Sequence, residues 1–129
     1  MTISRKIIIT EKAPAAIGPY AQANKAGDFI FASGQLPLDP ATGELIKGTI
    51  EEQTERALEN LSAVFEAAGT DLEHVIKTTV FLADLDDFVK MNKVYAHYFT
   101  GTKLPSRSTI KAGLPKGALI EIEAIAIAE

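Results

Sequence analysis

Residues 118–128 read Ala-Leu-Ile-Glu-Ile-Glu-Ala-Ile-Ala-Ile-Ala, and the order of side chains within them decides the fold class. A strand sends alternate side chains to opposite faces. The even positions are Ile120, Ile122, Ala124 and Ala126. The odd positions begin with Glu121 and Glu123 but end with Ile125 and Ile127. One face is therefore apolar throughout, while the other turns from acidic to apolar along the strand. Such a strand needs helices on one side and a second cover at its far end. Another subunit would supply that cover, and a long loop of the same chain is the alternative.

Working outward, residues 106–112 form a further strand, and Gly-Leu-Pro-Lys-Gly at 113–117 has the composition of a hairpin loop. Residues 75–83 are β-branched and aromatic, which favours strand over helix. Asp84 to Asp87 offers an N-cap and first-turn carboxylates for a helix whose buried side carries Phe88, Met91, Tyr95, Tyr98 and Phe99. An earlier helix begins at Thr49, which has capping-box spacing to Glu52. Its apolar stripe is Leu58, Leu61, Val64, Phe65 and Ala68, with Gly69 as the C-cap.

Residues 3–9, 20–25 and 29–33 read as strands, the last two joined by a turn at 26–28. Residues 34–48 make a loop punctuated by Pro37, Pro40, Gly43 and Gly48. A loop of that length is uncommon in a compact domain and is functional or internally packed. Three strands, a helix, a strand, a helix and two strands predict an α+β fold in one domain, 1–129. Both helices lie on one face of a mixed sheet.

The chain has 129 residues, and its 47% apolar and 23% charged content suits a globular domain that buries its own core. A net charge of −4 and a pI near 5.2 disfavour nucleic acid, whose binding leans on cationic surface. No segment has the apolar length of a membrane helix or a secretory signal, so the expected address is the cytoplasm. The absence of cysteine removes disulfides, thiolate metal sites and a thiol nucleophile. His74 and His97 fall in different elements without ligand spacing, so no metal site is expected and both read as surface or packing residues. No phosphate-binding loop or serine elbow occurs.

The tail carries the candidate chemistry. A hairpin centred on Pro115 sets Thr109 opposite Glu121 and Arg107 opposite Glu123, making Arg107 and Glu121 diagonal neighbours on one face. An arginine fork fits a carboxylate, and a nearby glutamate can serve as base. An ordinary salt bridge closing the hairpin is the plainer reading of the same spacing.

Five stretches are distinctive: Ile17-Gly18-Pro19-Tyr20-Ala21-Gln22-Ala23, Phe31-Ala32-Ser33-Gly34-Gln35, Lys77-Thr78-Thr79-Val80-Phe81-Leu82, Leu104-Pro105-Ser106-Arg107-Ser108 and Ile120-Glu121-Ile122-Glu123-Ala124-Ile125-Ala126. They resemble successive signatures of the Rid/YjgF family, in the family's order and over essentially the whole chain. The resemblance implies a chorismate-mutase-like fold and a homotrimer with active sites between subunits. It also implies hydrolysis of 2-iminopropanoate and 2-iminobutanoate, the reactive enamine/imine products of pyridoxal-phosphate dehydratases, to 2-keto acids and ammonia without a cofactor. In that scheme Arg107 holds the substrate carboxylate and Glu121 holds or activates water. Tyr20 and Ser33 line the cleft across the subunit boundary. Gly34, Ser108 and Thr109 complete the implied substrate-binding set, and Asn92 matches a recurrent position; a backbone turn needing no Cβ is the alternative reading of Gly34, and a structural role that of Asn92.

Thr109 stands where many members carry cysteine, and backbone groups there would keep their role. The segment after the arginine is also one residue shorter than in some members. A 2-keto-acid-binding module without turnover, or an RNA-directed or chaperone-like role, remains the competing expectation.

Overall fold

A computed structural model describes residues 2–128. Six strands form one sheet: β1 (Arg5–Ile8), β2 (Ala23–Ala26), β3 (Phe29–Gln35), β4 (Val75–Leu82), β5 (Ser106–Lys111) and β6 (Ile120–Ile127). The helices α1 (Ile50–Ala67) and α2 (Phe88–Tyr98) pack on the same face. Strand order is β1-β2-β3-β6-β4-β5. The first three strands are an antiparallel meander. β3 and β4 both run antiparallel to β6, so α1 carries the chain between two parallel strands and leaves a gap that β6 fills last. α2 then joins β4 to its parallel neighbour β5. The mixed α+β sheet with two helices agrees with the sequence expectation.

The expected tail hairpin is overturned. β4 lies between β5 and β6, and residues 115–117 form a 3-10 turn with Lys116 at φ 61°. The reason is burial. β6 buries four alternate side chains against the helices and half-buries three of the other four, so it takes a central position. No residue of β5 is fully buried, which suits an edge. Turn composition is a local signal, whereas pairing is decided by which strand can cover the most apolar surface.

Local chemistry explains the helices. Thr49 accepts from the Glu52 amide at 3.2 Å while the Glu52 carboxylate accepts from the Thr49 amide at 3.0 Å, completing the capping box. At the other end Ala68 is the cap, followed by Gly69 at φ 85°. The Thr70 amide reaches the Phe65 carbonyl and the Gly69 amide the Glu66 carbonyl, a Schellman motif. Asp84 caps a short 3-10 turn at Leu85–Asp87 rather than α2 itself.

Ile50, Ala57, Leu58, Leu61, Val64 and Phe65 of α1 are buried against β3 and β6. One row across this helix-facing side runs Ile8, Ala23, Ala32, Ala124, Thr78 and Arg107. The long loop is internally packed: Leu38 bridges to Leu45, and buried Asn60 donates to the Leu36 and Leu38 carbonyls.

The other side of the sheet is different. One row runs Ile7, Asn24, Phe31, Ile125, Lys77 and Ser106, and Phe29 pairs with Ile127 beside it. Phe29 and Phe31 are 45% and 47% exposed, so neither the long loop nor a helix covers this apolar surface within the chain. β2 begins at Ala23 rather than at Tyr20, because buried Gln22 instead bonds the Thr10, Ala13 and Pro14 carbonyls and pins the preceding loop.

Candidate active site

Two clusters of polar residues stand apart on this fold. The first surrounds Arg107 on edge strand β5. Arg107 pairs with Thr78 of β4, whose side chain is fully buried beneath α2, so Arg107 shares the helix side of the sheet. There it meets Phe88, Asn92 and Tyr95, which the spacing i, i+4, i+7 sets on one helix face. The guanidinium carbon lies 4.7 Å from the Tyr95 ring centre and 5.5 Å from that of Phe88. Nη1 donates to Asn92 Oδ1 at 2.7 Å. Beneath it, the Tyr95 hydroxyl and Thr78 Oγ1 are hydrogen-bonded at 2.7 Å. Burial pushes the Tyr95 phenol up, partly offset by Thr78 and the Arg107 charge, so it stays protonated at neutral pH.

The second cluster surrounds Glu121 on β6. Glu121 pairs with Phe81 of β4, which puts it on the open side. β3 has a bulge between Ala32 and Gln35, opposite this part of β6. The bulge holds Ser33 and Gly34. A Cβ on Gly34 would stand 2.5 Å from Glu121 Oε2, so only glycine leaves room for the carboxylate at this place. The φ of Gly34 is not positive. Close approach, rather than a turn, is what requires glycine here. Burial, and then the charge of Glu123, raise the Glu121 carboxyl above its ordinary range.

Next to it, Ser33 Oγ donates to the Ala21 carbonyl at 2.6 Å. Tyr20 and Ser33 line a cleft of 1110 Å³ together with Ile7, Ile9 and Asn24. Asn24 Oδ1 is buried there without a hydrogen-bond partner among the described residues.

The family model described as endoribonuclease L-PSP matches residues 10–128. The chain belongs to the Rid/YjgF family. A RutC family protein of Pyrococcus abyssi is 54% identical, over 98% of this chain and 100% of its own length. A Mus musculus protein named 2-iminobutanoate/2-iminopropanoate deaminase is 50% identical, over 98% of this chain and 93% of its own. The crystal structure of a Yersinia pestis protein of the conserved Rid family, of unknown function, superposes with a TM-score of 0.94 at 45% identity. That match covers 97% of this chain and 100% of the Yersinia chain.

For this Rid/YjgF chain the structure unites some of the sequence candidates and separates others. Tyr20 and Ser33 share a cleft, and Gly34 sits against Glu121. Arg107 and Glu121 do not meet. Their β4 partners, Thr78 and Phe81, point to opposite faces, so the expected diagonal pair is replaced by two groups separated by a strand and by the sheet itself. Ser108 pairs with Thr79 on the open side, near Lys77 Nζ at 3.4 Å. Thr109 returns to the Arg107 side, its hydroxyl buried without a hydrogen-bond partner among the described residues.

Phe88 and Tyr95 were expected as core. Tyr95 is buried, but Phe88 is 37% exposed and faces the guanidinium. The sequence did hold a signal for them: a crossover helix packs over the strands it joins, so its i, i+4, i+7 face looks toward residues such as Arg107 on the following strand. No group of three His, Asp or Glu side chains able to hold a metal ion occurs among the described residues. No helix among them is long and apolar enough to cross a membrane.

Proposed function

We propose that this protein is a homotrimer that hydrolyses small 2-imino acids to 2-keto acids and ammonia, with each active site built from two subunits. The observation that carries this reading is the separation of Arg107 from Glu121 within one chain. Arg107 sits at an edge strand, and Glu121 opens onto an uncovered face beside the Tyr20–Ser33 cleft. The edge of one copy laid against the cleft of the next would complete the site and cover Phe29 and Phe31. Two unlike surfaces joined in this way make a head-to-tail contact, which closes as a ring when the rotation between copies divides a full turn. The resemblance to the family implies a ring of three. The name of the mouse relative supports the chemistry.

In the reaction, Arg107 of one copy receives the substrate carboxylate on its planar fork and fixes the adjacent C=N carbon. Glu121 of the next copy accepts a hydrogen bond from water and takes its proton as the C–O bond forms. The proton passes to nitrogen, giving a carbinolamine. Collapse of that intermediate breaks the C–N bond and releases ammonia and the keto acid. A carboxylate raised above its ordinary range is the better base for that step. The imine carbon is already electrophilic, so side chains suffice.

The test uses a threonine dehydratase to generate the imine in situ, with semicarbazide trapping what remains. Wild type accelerates 2-oxobutanoate formation, whereas folded Arg107→Ala and Glu121→Gln do not. Mixing the two variants through a denaturation–refolding cycle restores activity at about a quarter of the sites if each site draws on two copies. No recovery would place the whole site in one chain. No acceleration by wild type would leave a keto-acid-binding module as the better account.

A further inference from the structure

We propose that Phe88 and Tyr95 are positioning residues, forming an aromatic slot that holds the Arg107 guanidinium edge-outward for a planar 2-imino or 2-keto carboxylate. The inference rests on the carboxylate-binding role given to Arg107 above. The guanidinium carbon lies over both rings, 4.7 Å from the Tyr95 centre and 5.5 Å from that of Phe88. The negative π faces of both rings attract the cation. Held in this way, the guanidinium can turn toward a carboxylate its edge, the part of arginine that donates parallel hydrogen bonds. Asn92, midway between the rings, takes Nη1 and sets the rotation of that edge.

The two walls are held differently. Tyr95 is 8% exposed, bonded to Thr78 and packed at a tilt against Phe99 with ring centres 4.5 Å apart. Thr78 is also the strand partner of Arg107, so one backbone position locates both the arginine and the ring beneath it. Phe88, by contrast, is 37% exposed on the first turn of α2. Phe88 thus gives the core less than Tyr95 does, and what it faces is the cation.

Phe88 is therefore the wall to alter. Phe88→Leu keeps an apolar side chain without the π face, and Phe88→Trp restores that face. Calorimetry with 2-oxobutanoate, steady-state kinetics and the Nε–Hε resonance of Arg107 are read together. The expected result for Phe88→Leu is an unchanged melting temperature. Weakening of the keto acid and a rise in KM by about threefold to tenfold should accompany it, with kcat held within about twofold. The Arg107 Nε–Hε signal broadens, and Phe88→Trp reverses all three changes.

Wild-type affinity and an unaltered Nε–Hε signal in Phe88→Leu would overturn the slot. Loss of folding in that variant would also overturn it, by showing Phe88 to be structural. If wild type binds no 2-oxobutanoate, the carboxylate reading fails. The Nε–Hε signal of the free protein still decides the slot: broadening in Phe88→Leu supports it and no change refutes it.

Discussion

The Arg107 cluster and the Glu121 cluster present a functional group by opposite means. Around Arg107 the work is done by side chains: two rings and an amide on α2 hold a long, flexible arginine at a sheet edge. Around Glu121 it is done by backbone: a bulge in β3 and the missing side chain of Gly34 make a recess for a short carboxylate on a central strand. The first arrangement tolerates variation in the chain path but depends on particular side chains. The second is the reverse. Mutations of side chains should therefore injure the arginine half, and mutations that alter backbone space should injure the glutamate half.

Arg107→Ala is the strongest test of the first half. Acceleration should fall to the uncatalysed background, while the half-exposed edge position leaves the melting temperature nearly unchanged. An unfolded variant would make Arg107 structural and remove the contrast. Arg107→Lys sharpens it. A point charge lacks the fork and stacks poorly, so keto-acid binding by calorimetry should weaken almost as much as in the alanine variant.

Gly34→Ala is the corresponding test of the second half. Its Cβ would fall 2.5 Å from Glu121 Oε2, against the flexible end of a side chain, so the carboxylate should swing away rather than the sheet break. Displacing a catalytic group by about 1 Å costs on the order of a hundredfold in rate. The turnover of Gly34→Ala should therefore approach that of Glu121→Ala, with keto-acid binding to Arg107 less affected. Wild-type turnover would show that the carboxylate does not need its present place.

The two clusters also differ in how far they could be read in advance. Helix α1 was legible from cap to cap, because the Thr49–Glu52 pair and Gly69 act within a few residues of chain. The doubly apolar end of β6 was legible too, and it correctly marked a face the chain does not cover itself. What failed was pairing. Residues 113–117 have hairpin composition, yet composition near a turn says nothing about a strand arriving from far away to occupy the neighbouring place.

Gly34 reads from the sequence as the start of a loop, although a glycine that closes a strand-like apolar run such as residues 29–32 is equally the mark of a bulge. Phe88 was assigned to the core because helical periodicity is blind to what an apolar stripe faces. Arg107 and Glu121 stand out in the sequence by residue type, but the register that separates them is a long-range property.

The smallest expected effect concerns stability, and its sign follows from burial. The folded-state pKa of Glu121 is raised, first by burial and then by Glu123, so the folded protein binds that proton more tightly than the unfolded chain does. The associated stabilisation is complete below the unfolded value and is lost as pH rises through the folded one. At neutral pH the ionised Glu121 therefore opposes folding slightly, and a neutral isostere removes the opposition. Glu121→Gln should melt at or above the wild-type temperature at pH 7, and the gap should close as pH falls below the ordinary carboxylate range. Wild-type kcat/KM should decline on acidification through the raised pKa, because the base is then protonated. Thermal melts and rate profiles across that window check both signs. A lower melting temperature for Glu121→Gln at neutral pH would mean that a compensating cation holds the carboxylate in the folded protein, and the argument from burial would fail.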